Sequence, residues 1–146
     1  MTSAELFVRL LGSVREHLAT HPVASRIASV EVTTTYLDGE RATVQLSGDD
    51  LADLATVLLG WADTLTQVTA TQVTATNVTA TAWRPPDGEW VHLIITGHLP
   101  DGVALQVYGG VRYTESVFGA DLQPGGRQSV ALSVLRSWAA GGAVAA

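Results

Sequence analysis

The chain has no cysteine and no lysine, and its carboxylates outnumber its basic residues 14 to eight. Without cysteine there are no disulfides, no thiolate nucleophile and no thiolate metal ligand, a composition at home in the cytoplasm. Without lysine every basic group is an arginine, and with abundant Ala, Gly, Val and Thr this is the bias of G+C-rich, bacterial-type genomes. The net charge of −6 argues against broad nucleic-acid binding, which draws its affinity from basic side chains on phosphates. No apolar run approaches the ~18 residues of a membrane span. The N-terminus lacks the basic stretch and apolar core of a secretory signal, so a soluble cytoplasmic protein is expected. Gly-x-Ser-x-Gly, P-loop, dinucleotide-binding and His-Glu-x-x-His patterns are also missing.

What is present is a chain of 146 residues, 47% apolar, which suits one domain with a sizeable core. Leu6, Phe7, Leu10, Leu11, Val14 and Leu18 recur at three- and four-residue spacing and predict a helix over 3–20. Thr2 and Glu5 form a capping-box pattern, and Pro22 ends the helix. A second apolar stripe, Leu51, Leu54, Val57, Leu58, Trp61 and Leu65, predicts another helix capped by Ser47 or Asp49. The acids Asp49, Asp50 and Asp53 suit that helix's positive end better than a metal site.

Alternating segments predict five strands. Val30, Val32, Thr34 and Tyr36 face Ala42, Val44 and Leu46 across Asp38-Gly39. Keeping the apolar sets on one face selects a three-residue loop, Leu37–Gly39, which pairs Val32 with Val44 and places Gly39 in a left-handed bulge. The same requirement at Pro86-Asp-Gly88 pairs Trp83 with Val91, and at Pro100-Asp-Gly102 it pairs Leu99 with Val103 and Ile95 with Val107. Residues 114–127 read as a loop and 128–140 as a last helix. The expected fold is therefore α+β, a two-layer sandwich with a mostly antiparallel five-stranded sheet and helices on one face, in the order α-β-β-α-β-β-β-α. Residues 1–140 form the single domain and 141–146 a flexible tail.

Within that domain three copies of a pentapeptide run from Gln67 to Thr81, each ending Val-Thr-Ala-Thr. A period of five alternates the facing of successive valines in a strand, which no single core accommodates. The first copies are expected to form an arm or bent strand and the last to enter the sheet. An uncharged Val/Thr segment also offers backbone groups for pairing with another subunit.

If Val91, Leu93, Ile95, Leu105 and Val107 face the helices, the other face carries Arg84, Trp90, His92, Ile94, His98, Gln106, Tyr108 and Arg112. Register sets Trp90 beside Arg112 as a cation–π pair and Ile94 beside Tyr108. Aromatics and arginine dominate interaction hot spots, so this set is the candidate interface. His92 and His98 lie six strand residues apart, about 20 Å, and cannot share a metal. His17 and His21 read as a surface and a loop residue. No cofactor, metal or catalytic residue is expected.

The element order resembles that of small acidic dimeric secretion chaperones, with two hairpin regions flanked by helices. That resemblance implies a homodimeric accessory protein. The leading expectation is thus a non-enzymatic protein-interaction module, a homodimer or a binder of another protein through the free sheet face. Two alternatives stand beside it: an acidic inhibitor mimicking nucleic acid, and a small-molecule binder or enzyme with a pocket between sheet and helices.

Overall fold

Thr2 accepts a hydrogen bond from the Glu5 amide while the Glu5 carboxylate accepts from the Thr2 N–H, closing the capping box that starts α1 (Ser3–Thr20). The structure, a computed structural model, describes residues 2–21, 26–35, 39–65, 67–69, 72–74 and 78–141. After α1 come β1 (Ile27–Thr35), β2 (Gly39–Leu46), α2 (Leu51–Thr64), β3 (Gln67–Thr69), β4 (Gln72–Thr74) and β5 (Thr79–Trp83). They are followed by β6 (Trp90–His98), β7 (Ala104–Arg112), α3 (Glu115–Phe118), β8 (Arg127–Val130) and α4 (Leu132–Ala139). The cap of α2 is Asp50, one residue beyond the expected Asp49, and its carboxylate accepts from the Asp53 amide.

The fold is α+β, and its main sheet has six strands in the order β1-β2-β7-β6-β5-β8. Only β2 and β7 run parallel; the other pairs are antiparallel. The sixth strand, β8, occupies residues read from sequence as loop and helix start. It pairs antiparallel with β5, and α4 begins only at Leu132. The first two repeat copies pair with each other in a separate two-stranded sheet, Val68 opposite Val73, while the third contributes Thr79–Thr81 to β5. The tail beyond Gly141 lies outside the described residues.

The three hairpins match expectation to different degrees. Across β6–β7 the register is as read: Ile95 opposite Val107, Ile94 opposite Tyr108, Trp90 opposite Arg112, with Gly102 left-handed at φ +93°. Across β1–β2 Val32 meets Ala42 and Val30 meets Val44, two residues from the expected pairs. An even slip keeps every side chain on its face. The connecting residues 36–38 lie outside the described set, and Gly39 is paired opposite Thr35. Across β5–β6 the slip is one residue: Trp83 meets His92, not Val91, and Ala82 meets Leu93. Here the backbone of Arg84 pairs elsewhere, donating to Gly126 O at 3.0 Å and accepting from the Gly125 amide. The strand therefore leaves β6 after Trp83, and the connection lengthens to residues 84–89.

The core lies between one sheet face and the helices. Val14 of α1, Leu54, Leu58 and Trp61 of α2, and Leu135 and Trp138 of α4 bury against Val44, Ala82, Leu93, Ile95, Leu105 and Val107, and Leu10 of α1 is buried as well. Each such large side chain contributes about 1.5–3 kcal/mol of transfer free energy. Helix α2 comes close to the sheet over Gly109, where a Cβ would stand 2.4 Å from Leu54 Cδ1. The space bounded by Leu58, Leu93, Val130 and Leu135 is too small for a water molecule, so no ligand pocket opens there between sheet and helices. Among the described residues no helix is long and apolar enough to cross a membrane.

Candidate functional site

With helices covering one face, the opposite face of the sheet is left without a covering element among the described residues. Strand alternation sends every second residue to it. From β7 come Gln106, Tyr108 and Arg112; from β6 Trp90, His92, Ile94 and Thr96; from β5 Thr81 and Trp83; from β2 Arg41; and from β8 Arg127. Nine of these side chains line an open depression of about 560 Å³ that runs across the strands from Arg41 to Arg127. Its floor is Ile94, 8% exposed.

The aromatic groups form a continuous run. His92 stacks on Tyr108, with centroids 5.4 Å apart and planes at 27°, and meets Trp83 edge-on at 5.2 Å. Arg127 lies over the Trp83 ring at 5.2 Å, and Arg112 over Trp90 at 4.8 Å. Gly110, opposite His92, leaves room for the Trp90 and His92 rings, each 3.7–3.8 Å from where a Cβ would sit. Burial lowers the His92 pKa from its ordinary 6.5, against a weaker opposing pull from Asp87, so the ring is neutral at pH 7. Among the described residues Arg41, Arg112 and Arg127 have no carboxylate partner, and Arg41 Nε is buried without a hydrogen bond.

Of the residues singled out from sequence, His92, Ile94, Gln106 and Tyr108 line this depression, and Trp90 and Arg112 stand beside it as the expected pair. His98, the last residue of β6, is exposed opposite Ala104 and outside it. Arg84 belongs elsewhere. The one-residue slip removes it from the open face; its Nε donates to Gly88 O at 3.0 Å, its Nη1 to Leu122 O at 2.8 Å, and its guanidinium lies 3.5 Å from the Tyr113 ring centroid. It ties the β5–β6 connection to the loop before β8. Trp83, Arg41 and Arg127 were missed. Arg41 was legible as outward-facing from Ala42 and Val44, but the pairing of β2 with β7 was not.

A second concavity, of about 300 Å³, lies between α1 and the β6–β7 turn and is lined by Ser13, His17, His21, Leu99 and Asp101 among others. His17 is 5% exposed, not a surface residue, and its ring lies 4.7 Å from His21 and 6.1 Å from Trp61. Its Nε2 is 2.8 Å from Thr64 Oγ1, whose hydroxyl donates to Trp61 O, so Nε2 carries the donated proton. Among the described residues no cluster of three or more His, Cys, Asp or Glu is placed to hold a metal.

Several of the described carboxylates are engaged within the fold. Glu5 and Asp50 cap helices, while Glu40 and Asp53 bind Arg9 and Arg26 at 2.6 and 2.9 Å. Comparison with known proteins finds no matching family model, no similar curated protein and no similar solved structure. Any functional reading therefore rests on the geometry of the open face.

Proposed function

We propose that the protein is a non-enzymatic interaction module that docks a partner chain across its outer sheet face. The observation that supports this reading is a contrast of charge. On a chain of net charge −6, three arginines without carboxylate partners among the described residues frame the aromatic run His92–Tyr108–Trp83 on the face that no described element covers. A surface of half-buried aromatics rimmed by arginine has the composition of an interface core and rim.

The same contrast selects the partner's chemistry. A second copy laid face to face would bring arginine rim against arginine rim, which costs free energy. A segment with carboxylates flanking apolar side chains is complementary. From Arg41 on β2 to Arg127 on β8 there are four strand spacings, about 19 Å, or roughly six residues of extended chain. The docked segment is thus a short acidic stretch lying across the strands, its apolar side chains over Ile94 and the rings.

The test is a peptide array of extended dodecamers varying in charge and apolar content, probed with the wild-type chain and with Trp83→Ala/Tyr108→Ala and Arg41→Gln/Arg127→Gln variants. Acidic apolar peptides should bind the wild type, more weakly at higher salt, and bind neither variant. Preference for basic peptides, binding that survives both variants, or selective binding of a single-stranded oligonucleotide added as competitor would each overturn the reading.

A further inference from the structure

Strand β1 is nine residues long, forms one edge of the main sheet, and contains no buried residue among those whose side chains are described. The opposite edge, β8, is only four residues. Short strands, prolines, inward charges and covering loops are the usual guards on a sheet edge. β1 has one charge, Glu31, no proline, and a register irregularity confined to its start between Ile27 and Ser29. From Ser29 to Thr35 it is a regular strand whose outer edge has no partner among the described residues.

Exposed apolar side chains mark the same edge. The large hydrophobics that stand exposed among the described residues are Val8 (70%), Leu11 (48%) and Val30 (36%). Val30 is on β1 itself. On α1, Leu10, Val14 and His17 point into the core, while Arg9 reaches Glu40 of β2 and Ser13 bonds Asp101 in the β6–β7 turn. At 100° per residue, the flank carrying Leu11 and Val8 lies on the opposite side of the buried stripe, toward the β1 edge. An apolar helix flank thus overhangs an unpaired strand.

We infer that two copies of the chain pair antiparallel through β1, joining their sheets into one of twelve strands. A twofold axis perpendicular to the sheet keeps each face on its own side, so directly opposed residues share parity. Placing the axis at Glu31 would oppose like charges. Placing it at Val32 sets Glu31 opposite Thr33 of the second copy and uses the regular segment Ser29–Thr35, leaving the irregular start unpaired. The axis therefore passes through Val32. Helix α1, lying over β1 and β2, then sits about 5 Å from the axis, and the two α1 helices about 10 Å apart, close to the spacing of packed helices. Their Leu11 and Val8 flanks meet there. Both docking depressions open on the same side of the joined sheet.

The experiment uses the full chain, whose lack of cysteine leaves no background thiol. Native mass spectrometry should give a dimer, and Leu11→Asp, at an exposed position, should raise its dissociation constant at least tenfold with unchanged circular dichroism. Glu31→Cys and Thr33→Cys chains mixed and oxidised should crosslink, while either alone should not. A monomer at every concentration, a dimer indifferent to Leu11→Asp, or self-crosslinking of Glu31→Cys would overturn the inference. Tyr108→Ala should leave the dimer intact, so failure here and failure of peptide docking are read separately.

Discussion

The imidazole of His92 lies against the Tyr108 ring, centroids 5.4 Å apart, with the edge of Trp83 closing on its other side at 5.2 Å. Three rings from three neighbouring strands thus form one surface, and none contributes to the core between sheet and helices. On the proposed reading such rings serve contacts made from outside. Trp90→Ala/Tyr108→Ala should therefore leave the urea midpoint within the range of surface substitutions, about 0.5 kcal/mol per site. It should weaken docking of an acidic peptide by about 2 kcal/mol or more, measured by calorimetric titration.

Arg84 gives the opposite pattern. Its guanidinium donates to two carbonyls, Gly88 O and Leu122 O, and covers Tyr113. Hydrogen bonds from a charged donor contribute about 1.5–3 kcal/mol. Arg84→Ala should lower folding stability by about that much while leaving peptide affinity unchanged; a loss of affinity at full stability would return Arg84 to the interface.

The contrast between Arg84 and Trp83 shows what the sequence conveys about this site. Both were assigned from one hairpin register, and both were placed on the wrong face by a slip of one residue. The requirement for an apolar face chose Trp83 over Ala82, because tryptophan reads as core and alanine as neutral. What decides the register is the pairing of Arg84 with Gly125 and Gly126, far along the chain and invisible to local pattern. Where the turn is closed by its own residues, as at Pro100–Gly102, the reading of Trp90 with Arg112 and Ile94 with Tyr108 matches the structure. Strand β8 and the parallel joining of β2 to β7 were illegible for the same reason. Helices α1 and α2, set by three- and four-residue periodicity and local caps, were legible almost to the residue.

His17 predicts a pH dependence. Burial and the neighbouring His21 lower its pKa below the ordinary 6.5, with Asp101 opposing, and Glu16 also lines the cleft. The unfolded chain then binds the proton more readily than the folded one, so stability is complete above pH 6.5 and falls as pH drops below it, down to the folded-state pKa. His92 adds to the same trend. Each group's share of the slope is at most about 1.4 kcal/mol per pH unit. Urea unfolding at pH 7.5 and 5.5 should show a smaller loss for His17→Gln than for the wild type; equal losses would show that His17 is protonated as readily folded as unfolded.

Two adjacent glycines on opposite faces predict different costs. At Gly109 a methyl would press on Leu54 Cδ1 at 2.4 Å, so Gly109→Ala should force α2 outward and cost about 1–3 kcal/mol. At Gly110 the nearest atoms, in Trp90 and His92, are at ordinary contact distance, and Gly110→Ala should cost about 0.5 kcal/mol or less. Thermal unfolding of both variants checks the pair.

The four tryptophans offer the most direct test of the open face as the docking surface. Trp83 and Trp90 stand on it half-buried, whereas Trp61 and Trp138 are sealed in the core, their indole N–H groups without a partner among the described residues. Their four indole N–H resonances can be followed in a ¹⁵N-labelled chain during titration with the best-binding acidic peptide. Shifts confined to Trp83 and Trp90 are the predicted result. Shifts at Trp61 or Trp138 with the outer pair unmoved would place docking elsewhere and contradict it.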